Sequence, residues 1–212
     1  GSEYCCWVCL EQRSDGHELL QSCACRGHSG WAHHDCLIKA AHANTLCWMQ
    51  CPTCKQRWTG KLYLQMAREW SRVVASAAPR SGTRELVDMN LSVALRINGK
   101  LAESVRIGRD VVATCRKQYG DTNAITVSVV TDLANTYIEL GDPSSALPLY
   151  VVALAGSRLL YGNDHRITLA AVGNLAGAYR DIGDMEKAMP LYEEDLSASR
   201  RLLRADDPDL LT

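Results

Sequence analysis

Apolar residues recur at helical spacing in the segment Lys61–Ala77. An apolar side chain every three or four residues forms one face of an α-helix, so this segment is predicted to be helical. The next five residues, Ala78–Gly82, include a proline, a serine and a glycine, and they break the pattern. We therefore interpret residues 60–82 as a bridging helix and a linker.

The sequence after this linker repeats itself every 42 residues. Leu133–Tyr150 recurs as Leu175–Tyr192, with alanines, a glycine and tyrosines at matching places, and a weaker copy begins at Leu91. Each copy predicts two helices joined around the glycine, with small residues allowing close approach and tyrosines filling the space between helices. The units resemble the tetratricopeptide repeat (TPR) in the 42-residue form of kinesin light chains. The resemblance implies an all-α TPR solenoid of about three units over residues 83–212, truncated where a fourth unit begins at Asp206–Thr212.

The first helix of each repeat is expected to line the concave face of such a solenoid, where ligands bind. By repeat phase the lining residues are Met89, Val93, Arg96, Thr131, Asn135, Ile138, Gly173, Gly177 and Arg180. We expect an unidentified protein or peptide there, in contact with Arg96, Asn135, Ile138 and Arg180. The lining lacks the basic set that clamps a C-terminal carboxylate. A face without any ligand remains an alternative.

The first quarter of the chain is rich in cysteine: nine of the ten lie in residues 5–54. With one histidine, eight candidate metal ligands form four close pairs: Cys6 and Cys9, Cys23 and Cys25, His33 and Cys36, and Cys51 and Cys54. Two pairs complete one tetrahedral zinc site, so four pairs predict two closed sites without an open position for catalytic water. We therefore expect two structural zinc ions. Such ions contribute about 10–16 kcal/mol to the folding of small fingers, which otherwise bury too little core.

Other uses of these cysteines fit less well. A disulfide framework belongs to secreted proteins, and the sequence shows no signal peptide. Core cysteines or a redox CxxC motif do not explain four pairs. His33 is preferred over His28 and His34 because it alone satisfies both flanking spacings. Cys5 can substitute for its neighbouring ligand, whereas Cys47 is expected to be a packed thiol.

The order and spacing of the pairs resemble the RING-CH (RINGv) finger, and the stretch Cys25–Leu37 resembles that family's core motif. A PHD finger would have a shorter gap before the histidine and a tryptophan two residues before the seventh ligand, whereas Trp48 lies three residues before Cys51. The resemblance implies a cross-braced domain over residues 3–59. One zinc would bind the first and third pairs and the other the second and fourth, with a short helix at Asp35–Ala43.

Similar fingers are ubiquitin ligases, which hold a ubiquitin-conjugating enzyme and its thioester-linked ubiquitin near a substrate lysine. By resemblance, Val8, Trp48 and Pro52 would form the platform for the conjugating enzyme. Lys55 would be the basic linchpin that contacts ubiquitin. The family often has a tryptophan where this chain has Ala40. Trp48 is expected to compensate, or else to pack the junction with the next helix.

Charge and hydropathy narrow the classes of function. The net charge is −1 and no basic patch is present, which argues against a nucleic-acid partner. No apolar stretch is long enough for a membrane span. Together with these exclusions, the resemblance to RING-CH fingers and TPR arrays implies an intracellular, cytoplasmic ubiquitin ligase, whose finger would recruit the conjugating enzyme and whose TPR array would recruit a substrate or partner protein. A non-enzymatic zinc-finger and TPR scaffold is the main alternative, and a PHD-like reader of histone tails is a more distant one.

Overall fold

The computed structural model describes residues 4–11, 19–21, 23, 25, 30–76 and 83–205, with side chains up to residue 201. The chain divides into two compact bodies, Gly1–Gly99 and Lys100–Thr212. We call them the N-terminal body and the C-terminal body. The linker predicted after Ala77 and the start of the fourth repeat lie outside the described residues. The domain limits 3–59, 60–82 and 83–212 stay predictions.

The N-terminal body begins with a two-stranded antiparallel sheet, in which β1 (Leu19–Gln21) pairs with β2 (Trp31–His33). The helix α1 (His34–Ala43) follows at once and coincides with the short helix predicted at 35–43. A 3-10 turn spans Thr45–Trp48. Two longer helices complete the body, α2 (Gly60–Ser76) and α3 (Thr83–Ile97).

Aromatic side chains join the finger to α2. The indole rings of Trp48 and Trp70 stack with centroids 6.2 Å apart and planes within 2° of parallel. Trp58 is 2% exposed, and its indole nitrogen donates to the carbonyl oxygen of Cys47 at 2.8 Å. The bridging helix therefore shares its core with the finger.

A polar contact joins α2 to α3. The Tyr63 hydroxyl donates to Oδ1 of Asn90 at 2.8 Å, and both residues are buried. A buried hydroxyl paired in this way fixes one helix against the other, because leaving either group unpaired would cost about 1–3 kcal/mol.

Five helices that pack in sequence order form the C-terminal body. They are α4 (Leu101–Tyr119), α5 (Ala124–Glu139), α6 (Pro143–Tyr161), α7 (Arg166–Asp181) and α8 (Met185–Ala205). Gly141 and Gly183, one repeat apart, end α5 and α7 with φ of +83° and +85°. Glycine adopts this left-handed conformation without the strain that a Cβ introduces, which explains the glycine at the centre of each repeat.

The alanines and one tyrosine of the repeat motif lie in the core as predicted. Ala134, Ala146, Ala176 and Ala188 are all 0% exposed, and Tyr150 is 3% exposed. Small residues at these places let neighbouring helices approach closely. The pattern of 42 residues therefore corresponds to a repeated packing arrangement.

A buried threonine locks consecutive repeats together. The Thr126 hydroxyl donates to the carbonyl oxygen of Cys115 at 3.3 Å. One repeat later, the Thr168 hydroxyl lies 2.7 Å from the carbonyl oxygen of Gly162, directly after α6, and 3.2 Å from the carbonyl oxygen of Ser157. Both threonines are 0% exposed. Each ties the start of a first helix to the second helix of the preceding repeat. Within the described part of the chain, no helix is both long and apolar enough to cross a membrane.

Candidate metal centre

The first group of ligands is assembled by a loop, a strand and a helix. Cys6 and Cys9 come from a tight loop, His33 ends β2, and Cys36 lies in the first turn of α1. Their ligand atoms all lie within 4.8 Å of one another. Nδ1 of His33 is 3.4 Å from the sulfur of Cys9 and 3.8 Å from that of Cys36, so Nδ1 faces the centre of the group.

The second group contains only cysteines. Cys23 and Cys25 follow β1, while Cys51 and Cys54 follow the 3-10 turn. All four sulfurs lie within 4.8 Å of one another, with those of Cys25 and Cys51 3.9 Å apart. The first pair therefore meets the third and the second meets the fourth, which confirms the predicted cross-bracing.

The loop that holds Cys6 is closed by two backbone hydrogen bonds. The amide of Leu10 donates to the carbonyl oxygen of Cys6, and the amide of Cys6 donates to that of Glu11, both at 2.8 Å. Leu10 adopts a left-handed φ of 65°. This turn brings Cys9 back beside Cys6 and leaves the Leu10 side chain 76% exposed.

The loop that holds Cys51 repeats this geometry in the second group. The amide of Lys55 donates to the carbonyl oxygen of Cys51 at 3.0 Å, and the amide of Cys51 donates to that of Gln56 at 2.9 Å. Lys55 has a φ of 61°, close to that of Leu10. Two CxxC motifs far apart in sequence thus fold into the same loop.

A close approach of backbone also shapes the second group. A Cβ on Gly30 would lie 2.4 Å from the carbonyl oxygen of Cys25. No side chain fits there, because real Cβ atoms do not come so near to a backbone oxygen. Sequence analysis missed Gly30, since spacing rules single out ligands and not the residues that make room for them.

The thiols of each group differ in acidity. Burial acts to raise the pKa of Cys51, but backbone hydrogen bonds from Cys54 and Thr53 outweigh it and bring the pKa to about 7. In the first group, burial likewise opposes the backbone hydrogen bonds that lower the pKa of Cys6. Burial, hydrogen bonding with Cys9 and the negative charge on Cys6 raise the pKa of Cys36 to about 12.

These residues fit zinc. The thiolates of each group repel one another unless a cation lies between them, and this repulsion adds to burial and hydrogen bonding in raising the pKa of Cys36. Zinc prefers sulfur and imidazole ligands in tetrahedral geometry, and it binds cysteine as the thiolate. Each group supplies four such ligands, so both centres are structural sites.

Comparison with known families agrees with this geometry. Residues 6–54 match the RING-variant domain, and residues 89–123, 126–167 and 168–209 match a tetratricopeptide repeat. The repeat matches together cover more than half of the chain. The chain is a tetratricopeptide repeat protein with a RING-variant domain.

Solved structures show the same repeat fold. A Podosopora anserina protein with nearly identical TPR-like repeats, described as a kinesin light chain, is 20% identical with a TM-score of 0.63, and the match covers 84% of this chain and 78% of that one. BtubC (BKLC) from P. vanneervenii is 13% identical with a TM-score of 0.60, covering 79% and 70%. No curated protein matches the chain. At these identities the likeness concerns the fold alone.

The residues predicted to form the conjugating-enzyme platform occupy different environments in the RING-variant domain. Val8 and Pro52 are half-buried and Lys55 is exposed. Trp48 is 3% exposed and stacks on Trp70, so its proposed place on the surface was wrong. The indole packs the junction with α2, which is the alternative that the sequence left open.

Two exposed leucines in the RING-variant domain were missed by the sequence analysis. Leu10 is 76% exposed and Leu46 is 52% exposed. The sequence did contain one indication that Leu10 is exposed: it directly follows the ligand Cys9, as Lys55 directly follows the ligand Cys54 in the other loop. Leu46 had no signal, because its exposure depends on how the 3-10 turn packs.

The predicted concave-face residues of the tetratricopeptide repeats have different surroundings. Asn135 accepts a hydrogen bond from the Tyr150 hydroxyl at 2.6 Å, and Ile138 packs against the core between α5, α6 and α7. Arg180 is exposed and pairs with Asp181 at 2.8 Å. Arg96 is half-buried in the N-terminal body. Their contact with a ligand stays a prediction.

A cavity of about 400 Å³ lies between α5, α7 and the end of α6. Thr131, one of the predicted lining residues, contributes to its wall. The other walls mix small polar and apolar side chains, namely Ala124, Val127, Ser128, Asp132, Ser157, Tyr161, Ile167, Ala170, Ala171 and Asn174.

Proposed function

We propose that this protein is a RING-type ubiquitin ligase. Two closed metal groups brace a small domain whose CxxC loops carry apolar residues at the surface, and this observation carries the proposal. The fingers of this family act by positioning. They restrict the approach of a substrate lysine to ubiquitin, so proximity and orientation lower the barrier. In the reaction the lysine nitrogen bonds to the ubiquitin carbonyl carbon, and the conjugating enzyme's cysteine leaves as a thiol.

The platform for the conjugating enzyme would consist of Val8, Leu10 and Pro52, with Leu46 as a further candidate. Leu10 and Leu46 are exposed and Val8 and Pro52 are half-buried. Aliphatic side chains that rigid loops hold at the surface suit a partner interface, because they lose little entropy when they are covered. Leu10 is held by the backbone hydrogen bonds of its loop rather than by side-chain packing. Trp48 is left out of the platform because it is buried.

Lys55 would contact the donor ubiquitin. Its ammonium group donates to the carbonyl oxygen of Pro52 at 2.5 Å, within the same loop. Binding would exchange this local hydrogen bond for one to ubiquitin, so the lysine is held near the platform beforehand. Lys55→Ala should therefore slow transfer more than it weakens binding of the conjugating enzyme.

The repeats would recruit the protein to be modified. The cavity between α5 and α7 combines apolar walls at Ile167 and Ala170 with polar groups at Asp132 and Asn174. Such a lining suits a protein segment that buries one apolar side chain and presents its backbone to the polar groups. Arg96, Asn135, Ile138 and Arg180 remain candidate contacts outside the cavity.

The test of ligase activity is self-ubiquitination. The zinc-loaded chain is incubated with ubiquitin, activating enzyme, ATP and a panel of conjugating enzymes, and ubiquitin chains are detected by immunoblot. We expect activity with at least one conjugating enzyme and its loss in Val8→Ala and Leu10→Ala. Leu140→Ala is the matched control, since Leu140 is 46% exposed in the C-terminal body.

Zinc content, measured in every variant, separates loss of the platform from loss of the fold. Activity that survives in both platform variants would contradict the platform. Inactivity of the zinc-loaded chain with every conjugating enzyme would contradict the ligase proposal and favour the scaffold.

A further inference from the structure

Comparison of the repeats reveals an unusual outer face on α6. Five residues of this helix, spaced at four, three, four and four positions, lie on one side and are all exposed: Ser144, Pro148, Val151, Ala155 and Leu159. We call them the α6 stripe. Val151 is 47% exposed and Leu159 is 75% exposed. The stripe contains no charged residue.

The equivalent faces of α4 and α8 are charged. One repeat earlier, the positions of Pro148, Val151 and Leu159 hold three exposed cations, Arg106, Arg109 and Lys117. One repeat later, the positions of Ser144 and Val151 hold two exposed carboxylates, Glu186 and Glu193, and the position of Leu159 holds Arg201, which pairs with Asp164. The contrast extends to whole helices, because α4 carries six charged residues, α8 eight and α6 only one.

The opposite side of α6 is also apolar. Ala153 is 0% exposed and Leu154 is 5% exposed, and both lie in the core. The single charged residue, Arg158, pairs with Glu194 of α8 at 2.6 Å. A helix that is apolar on all sides is normally buried on all sides. Among the described residues, the packing of the repeats covers only one side of α6, so the other side calls for a partner.

We propose that a second copy of this chain covers the α6 stripe. Helices pack in sequence order, so α6 lies in the middle of the C-terminal body with α4 towards one end and α8 towards the other. A two-fold axis parallel to α6 would set the two stripes against each other. It would also bring the α4 face of each copy opposite the α8 face of the other.

Charge complementarity favours this arrangement over the alternative two-fold axis. With the axis parallel to α6, equivalent repeat positions of α4 and α8 face each other, so Arg109 of one copy lies opposite Glu193 of the other. Lys117 then faces Arg201, whose charge is balanced by Asp164 of its own copy. An axis perpendicular to α6 would instead set the arginines of α4 against each other. Dimers of identical chains use self-complementary surfaces, and like charges across an interface oppose wrong pairings.

The same geometry predicts a weak dimer. Ala155, near the middle of the stripe, lets the two helices approach, while Val151 and Leu159 on either side supply apolar contact. One helical stripe offers less than the roughly 800 Å² per partner that is usual in stable complexes. We therefore expect association that is seen at high concentration and reversed by dilution. The inference is independent of the ligase proposal.

Sedimentation velocity of the zinc-loaded chain tests the proposal. The weight-average mass should rise from 23.3 kDa towards twice that value as concentration increases from the low to the high micromolar range. Leu159→Glu should remain monomeric throughout. Leu196→Glu is the matched control: Leu196 is 53% exposed on α8, at the repeat position of Leu154, which lies in the core and outside the α6 stripe. It should dimerise as the wild-type chain does.

Charge reversal tests the orientation of the two copies. Arg109→Glu and Glu193→Arg alone should each weaken the dimer at least several-fold, and the double variant should restore it. Far-UV circular dichroism checks that each variant is folded. A wild-type chain that stays monomeric, or a dimer that survives Leu159→Glu, overturns the proposal. A dimer lost only in Leu196→Glu would likewise overturn it and assign association to α8. Failure of the double variant to recover would refute the parallel axis.

Discussion

Replacing Gly156 with alanine adds a single methyl group to the middle of α6. The new Cβ would lie 2.5 Å from Cγ2 of Val127 on α5, whereas carbon atoms normally stay about 3.5–4.0 Å apart. Val127 is 5% exposed, and its branched side chain is held in one rotamer by the helix. The two helices must therefore move apart or distort.

Two opposing effects determine the size of the change. Alanine is better than glycine in a helix by about 0.5–1 kcal/mol. Overpacking of a core costs about 1–3 kcal/mol, and a contact with a rigid neighbour falls within that range. The difference between these two effects is about 0–2.5 kcal/mol, and we expect Gly156→Ala to lower the free energy of unfolding of the C-terminal body within that range.

Gly177 provides a matched control in α7. A Cβ built at this position meets no atom within 4 Å, and the backbone is helical. Only the gain in helix propensity remains, so Gly177→Ala should raise the free energy of unfolding by about 0.5–1 kcal/mol. The same substitution in two helices of one body should thus have opposite signs.

Urea unfolding followed by two probes makes the measurement. All five tryptophans of the chain lie in the N-terminal body, so their fluorescence reports on that body. Circular dichroism at 222 nm reports mainly on the helices of the C-terminal body. The variants should shift the dichroism midpoint and leave the fluorescence midpoint unchanged. A Gly156→Ala protein that is more stable than the wild-type chain, or a Gly177→Ala protein that is less stable, would refute the reasoning.

Three further substitutions or treatments test other parts of the structure. Thr168→Val removes the buried hydroxyl that joins two repeats and should lower stability by about 1 kcal/mol in the same dichroism assay, whereas Thr168→Ser should largely preserve it. Gly30→Ala forces the backbone of Cys25 to move, so the zinc content after dialysis against a weak chelator should fall from two ions towards one. Ala43→Gly, at an exposed position, is the control. Retention of two ions in Gly30→Ala would count against the close approach. A strong chelator should shift the tryptophan fluorescence and spare the dichroism transition of the C-terminal body, and loss of both signals together would show that the bodies do not unfold separately.

The sequence predicted the metal centres well because ligand chemistry is local. A CxxC pair closes its own loop, and only the choice of partner pairs depends on the fold. That choice followed from the resemblance to RING-CH fingers. The repeats could be predicted equally well, because the alanines that pack between helices and the glycines that end helices recur every 42 residues in the sequence.

Contacts between distant residues account for what the sequence did not reveal. Trp48 was placed on the surface because the spacing says nothing about Trp70, which covers it from 22 positions further along the chain. Asn135 was assigned to the concave face, yet its amide oxygen is also used by Tyr150 within the repeat. Gly156 and Gly177 are the same residue type in helices of the same body. Only the structure shows that a Cβ would clash at Gly156 and would meet no neighbour at Gly177.

The stacked pair Trp48 and Trp70 also bears on how such a protein can be rearranged by gene fusion. A finger transferred to another protein without α2 would expose the indole of Trp48, and the α2 helix left behind would expose that of Trp70. An exchange that preserves folding has to move the finger together with α2, and the Tyr63 contact extends the same condition to α3. The segment that has to be moved is thus longer than the segment that holds the metal ligands. It ends after α3, inside the first repeat, and not directly after the last ligand, Cys54.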